Sequence, residues 1–100
     1  MLDETMNSEQ IQELAEAMLT LANRDEALVF FEDIFTIKEL QAVAQRLAVA
    51  RLLKQKVTYQ DIAEQTSAST ATISRVNRSL IYGSGGYQMV LGRMKDSSEE

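Results

Sequence analysis

The sequence predicts an all-α fold, an intertwined helical dimer built around a central helix-turn-helix. Three observations carry that expectation. The chain has no Pro and only four Gly, three of them in Gly83-Ser84-Gly85-Gly86, so its first eighty residues are free of helix breakers. Apolar residues recur at helical spacing along most of its length. The run from Thr58 to Arg78 divides into two short helical patterns around a tight turn. One hundred residues make a single domain, 1–100, whose core is thin for a monomer, and a hydrophobic content of 45% is ordinary for a folded chain.

From Ser8 to Ala22, Ile11, Leu14, Ala15, Met18 and Leu21 form one stripe, with Glu9, Glu13 and Glu16 between them. Asn23-Arg24-Asp25 interrupts the pattern, and Asp25 is the expected N-cap of the next helix. That helix, Ala27-Leu28-Val29-Phe30-Phe31 and then Ile34-Phe35, is apolar almost all round. A small monomer has little interior to hide such a helix, so residues 8–35 are expected to be dimerisation helices. A buried helix of a monomeric core is the alternative.

Residues 36–82 read as a core helix followed by the helix-turn-helix. Thr36 and Glu39 are spaced as a capping box. The helix they open is expected to reach Lys54 or Gln55, with Leu40, Val43, Leu47, Ala50 and Leu53 as its inner stripe. Thr58 then caps a short helix, with Asp61 in place for a second box. Ser67-Ala68-Ser69 is the turn, Ser69 or Thr70 caps the following helix, and Tyr82 ends it. Residues 83–100 are expected to be a glycine hinge, a short helix over Tyr87–Met94 and a frayed acidic tail from Lys95.

A helix-turn-helix sets three conditions, and the central run meets them. A small side chain, Ala63, sits where the helices cross, and Ile62, Ala68, Ile73 and Val76 are apolar at the inward positions. The outward face of the second helix offers Thr70, Ala71, Thr72, Ser74, Asn77 and Arg78, which are short or basic and suit a duplex major groove. Arg78 is a candidate for a phosphate or guanine, and Asn77 for adenine. Thr70 and Ser74 are candidates to contact bases directly or through water. Tyr59 and Gln60 open the first helix and are placed to touch backbone phosphate. The turn position often filled by Gly is Ser67.

The net charge of −5 is unevenly spread. Residues 1–37 hold nine acids and one base, residues 38–80 seven bases and three acids, and residues 81–100 three acids and two bases. A basic centre between acidic ends fits a local phosphate-binding surface, so double-stranded DNA is the expected partner. The chain has neither Cys nor His, which removes disulfides, zinc-thiolate sites and the usual nucleophile–base pairs. No enzyme, catalytic residue, metal or cofactor is expected. Nothing approaches the apolar length of a membrane span, and Met1-Leu2-Asp3-Glu4 lacks the basic start of a secretory signal, so the cytoplasm is the expected compartment.

From Phe35-Thr36 through Leu80, and most closely from Ala71-Thr72-Ile73-Ser74-Arg75 to Ser79-Leu80, the chain resembles the Trp repressor family, in particular its shorter Gram-positive-type members. The resemblance implies an all-helical intertwined dimer that represses transcription at a palindromic operator, sometimes with an amino acid as corepressor. In that family the indole lies between two guanidinium planes; Arg46, with a one-residue gap later in its helix, and Arg75 match them, and Thr72 and Ser79 match further pocket positions. The glycine that follows the second arginine in Trp repressors is Val76 here, which adds bulk at the indole site. A helix-turn-helix adaptor that binds a protein partner instead of DNA is the alternative function. Because of Val76, calorimetry of the purified protein with tryptophan is expected to show weak binding or none; a dissociation constant on the order of 10–100 μM or tighter contradicts this.

Overall fold

A computed structural model describes the backbone of residues 2–99 and the side chains of residues 4–94. Among the described residues all regular structure is helical: α1 (Leu2–Met6), α2 (Glu9–Met18), α3 (Arg24–Ile34), α4 (Ile37–Lys54), α5 (Tyr59–Thr66), α6 (Thr70–Tyr82) and α7 (Gly86–Glu99). The chain divides into two compact units, Met1–Leu40 and Gln41–Glu100.

In the first unit the helix starts are written in side-chain caps. Ser8 Oγ accepts from the Ile11 amide at 3.2 Å and opens α2. This helix stops at Met18, four residues short of the expected Ala22. The Thr20 hydroxyl donates to the Ala17 carbonyl at 2.7 Å, and the Thr20 and Leu21 amides bond three residues back, which tightens the last turn. The N-cap of α3 is Asn23, not Asp25: Asn23 Oδ1 accepts from the Glu26 amide at 3.0 Å, and Glu26 Oε1 accepts from the Ala22 amide at 2.8 Å. Asp25 instead lies in the first turn, where its charge suits the positive end of the helix dipole. The short α1 lies where the sequence predicts no element. Neither α2 nor α3 has a buried residue; Leu28 and Val29 are 54% and 65% exposed.

The capping box before α4 forms in full. The Thr36 amide donates to Glu39 Oε1 at 2.9 Å, and the Glu39 amide donates to Thr36 Oγ1 at 3.1 Å. The Thr36 backbone amide, then its hydroxyl, hold the Glu39 carboxyl below its ordinary range. This contribution to stability is therefore present above the unfolded carboxylate pKa and is lost as pH falls through the lowered folded value.

The second unit has an apolar core of Val49, Ala50, Leu52, Ile62, Ala68, Ile73, Val76 and Leu91, with no buried charged or polar residue among the described side chains. Only part of the expected stripe on α4 is in it. Val43 is 41% exposed and Leu40 half-buried, whereas Val49 and Leu52 are buried. The core touches only the C-terminal half of α4, where packing covers neighbouring positions 49, 50, 52 and 53 rather than one row drawn from Leu40.

Two tight reversals follow, each ending a helix on a left-handed residue. At the end of α4, Lys56 has φ 65°, its amide donates to the Leu53 carbonyl at 3.0 Å, and the Val57 amide donates to the Leu52 carbonyl at 3.1 Å. This is a Schellman cap, completed by Val57 packing on the core beside Leu52. Thr58 then caps α5, accepting from the Asp61 amide at 3.2 Å. The expected reciprocal bond from Asp61 is not formed among the described residues; Asp is one methylene shorter than the Glu39 that completes the first box. At the end of α5, Ser67 has φ 62° and its amide donates to the Ala63 carbonyl at 2.9 Å. Ser69 caps α6, with the Thr72 amide donating to its Oγ at 3.1 Å.

The last helix begins as expected but α7 continues through Glu99, so Lys95–Glu99 are helical where the sequence predicts a frayed tail. Gly83 ends α6 in close contact with the Ser79 carbonyl, which a Cβ would strike, and Gly85 takes φ 86° before α7. Leu91 returns α7 to the core.

Because Ser67 holds a left-handed conformation that opposes a Cβ, Ser67→Gly is expected to stabilise the fold by about 1 kcal/mol in urea melts. An unchanged or lowered midpoint contradicts that account of the turn.

Candidate nucleic-acid interface

The candidate surface depends on how α6 is mounted. Its inner side chains Ile73 and Val76 are 1% and 2% exposed, and they meet Ile62 from α5 and Ala68 from the turn. Gln45 Nε2 donates to the Thr66 carbonyl at 3.1 Å, tying α4 to the end of α5. The Thr66 hydroxyl donates to the Ile62 carbonyl at 2.7 Å and accepts from the Ala68 amide at 3.2 Å. These bonds satisfy the end of α5 locally and fix the turn that aims α6.

With one side locked, the other side of α6 is open. Thr70, Ala71, Ser74, Arg75, Arg78 and Ser79 are exposed. Thr72 is half-buried and its hydroxyl accepts from Ser69 Oγ at 3.1 Å, so that group belongs to the cap. Asn77 is half-buried as well. Ala63 is half-buried against the core, where it spaces the two helices and does not face outward. Tyr59, at 39% exposure, and Gln60 stand in the open on the first turn of α5. No acid lies anywhere on α6, so its N-terminal dipole is uncancelled and Arg75 and Arg78 give it a positive charge.

The residues expected to form an effector pocket differ in burial. Arg46, Arg75 and Ser79 are exposed and Thr72 is half-buried, while Val76 is taken up in the core. An open cleft of about 520 Å³ lies elsewhere in this unit, between α4 and α5, lined by Gln41, Gln45, Arg51, Gln65 and Thr66 among others. Among the described residues no group of three carboxylates or other ligating side chains could hold a metal ion.

Two features of the site have no clear sequence signal. The Schellman cap lacks the glycine that normally marks one, because Lys56 occupies that position. The Gln45–Thr66 bond spans 21 positions, a separation at which polar spacing says nothing.

This architecture is found in known proteins. The chain matches the family model of the Trp repressor protein over residues 9–95. It is 44% identical over 95 residues to YerC, an uncharacterised protein of Bacillus subtilis (strain 168), covering 95% of this chain and 91% of that protein. Two solved structures are similar. A TrpR-like protein from Eubacterium eligens ATCC 27750 shares 49% identity with a TM-score of 0.88, covering 92% of this chain and 95% of that one. A candidate Trp repressor from Staphylococcus aureus shares 47% identity with a TM-score of 0.89, covering 95% of both chains. With a family of helix-turn-helix regulators matched across most of its length and a similar fold at nearly half identity, the chain belongs to the Trp repressor family.

Proposed function

We propose that the protein is a homodimeric, sequence-specific DNA-binding regulator that represses transcription from a near-palindromic operator. One observation carries this: α6 is buried along one side by Ile73 and Val76, and from Thr70 to Ser79 its exposed side chains are all short or basic. A helix of that construction fits the width of the major groove and brings no acid against the phosphates. Thr70, Ala71 and Ser74 lie toward the bases. Arg75 and Arg78, with Tyr59 and Gln60 at the start of α5, lie toward the backbone. Asn77 and Thr72 support this surface from its edge, and Ala63 sets the helix spacing.

The dimer is supported by apolar side chains that the single chain leaves in water. Leu28, Val29, Ile34 and Ile37 are each more than two-fifths exposed, which a monomer of this size has no use for. Two-fold pairing sets two copies of α6 about 34 Å apart, one turn of duplex. An amino-acid effector other than tryptophan fits the family and the buried Val76, with Arg46, Thr72, Arg75 and Ser79 as its candidate contacts. The cytoplasm is where such a regulator works.

The test is enrichment of duplexes from a random pool, with and without amino acids, followed by binding of the Thr70→Ala and Arg78→Ala proteins. A two-fold symmetric consensus is expected. Thr70→Ala should relax selection at one position in each half-site, and Arg78→Ala should flatten the salt dependence by about 0.9 in log–log slope for each phosphate that the variant no longer neutralises. No enrichment, together with no retention on random duplex at low salt, contradicts the proposal and favours a protein-binding adaptor.

A further inference from the structure

The turn between α4 and α5 holds a charge that the recognition helix does not use. From Leu40 to Gln60 the chain has no acid and four bases, Arg46, Arg51, Lys54 and Lys56. The last three cluster at the end of α4, all exposed, and none has an ion pair among the described residues. Arg51 and Lys54 have an ordinary explanation, since cations in the last turn complement the helix dipole.

Lys56 does not share that explanation in full. Two of the carbonyls it would relieve, those of Leu53 and Leu52, are already satisfied by the Lys56 and Val57 amides. It occupies the C′ position of a Schellman cap at φ 65°, a conformation that glycine adopts freely and a Cβ resists. Glycine would make the same cap with less strain. A long cation held there, unburied and unpaired, adds nothing that the fold requires. It does put a positive charge two residues before Thr58, where α5 opens toward the surface that Tyr59 and Gln60 share.

We infer that Lys56 is a further phosphate contact on duplex DNA, outside the helix-turn-helix, with Arg51 and Lys54 flanking it. The inference rests on the proposed DNA-binding function and adds the flank of the operator to its footprint. The contact takes no part in choosing bases: an ammonium against a phosphate holds the duplex in register.

The experiment uses the full chain and a duplex that it has itself enriched from a random pool. Lys56→Gly removes the charge and the backbone strain together, so the two roles separate by sign. Its Tm is expected to rise by a few degrees, while affinity falls about five- to tenfold near 0.1 M salt and the log–log salt slope flattens by about 0.9 per chain bound. The reduction is expected to be the same for specific and random duplex, and Lys56→Arg is expected to keep the full slope. A Lys56→Gly protein that is more stable yet binds with unchanged affinity and slope overturns the inference and leaves DNA binding standing. A wild-type protein that binds no duplex overturns both.

Discussion

One-sided burial of α6 is the constraint on which the rest depends. Ile73 and Val76 are removed from water against Ile62, Ala68 and the C-terminal half of α4. Each fully buried aliphatic side chain contributes about 1.5–3 kcal/mol. Against a net stability of about 5–15 kcal/mol for a domain, a few such side chains decide the rotation of the helix about its axis. With no polar group buried among the described side chains, this core places no hydrogen-bonding demand on the outer surface. Thr70, Ala71, Ser74 and Arg78 are thus left free for something outside the chain.

Two reversals make that arrangement short enough to work. Lys56 and Ser67 both take left-handed backbone angles, and both stand where glycine is the usual solution. At Ser67 the hydroxyl residue sits between helices that must approach closely, next to the Thr66 side chain that bonds both Ile62 and Ala68. At Lys56 the strain coincides with an unpaired cation beside the proposed duplex-facing end of α5. In each case the strain is local and the apolar core around it, through Val57 and Ala68, holds the turn.

Much of this is legible in the residues because it is set locally. Capping pairs are read within four positions: Thr36 and Glu39 form the expected box, and Thr58 and Ser69 cap their helices as their spacing implies. The buried set Ile62, Ala68, Ile73 and Val76 follows from helical periodicity in two short, strongly patterned elements. Three departures depend on tertiary or neighbouring surroundings. Asn23 takes the cap that spacing assigns to Asp25, because Glu26 reaches back past it to the Ala22 amide. Periodicity extends the stripe on α4 along the whole helix, but the core meets only its last half, so Val49 and Leu52 replace Val43. On the candidate surface, spacing alone turns Thr72 outward, and a side-chain cap draws it in.

The central claim is that the open side of α6 is what the protein presents to a duplex. Amide chemical shifts of the labelled protein, followed while an enriched duplex is added, test it most directly. The account predicts the largest changes at Thr70, Ala71, Ser74 and Arg78, with smaller ones at Tyr59 and Gln60 and little change at Ile73 or Leu91 in the core. Changes centred on α2 and α3, or on the cleft between α4 and α5, with α6 silent, would contradict it.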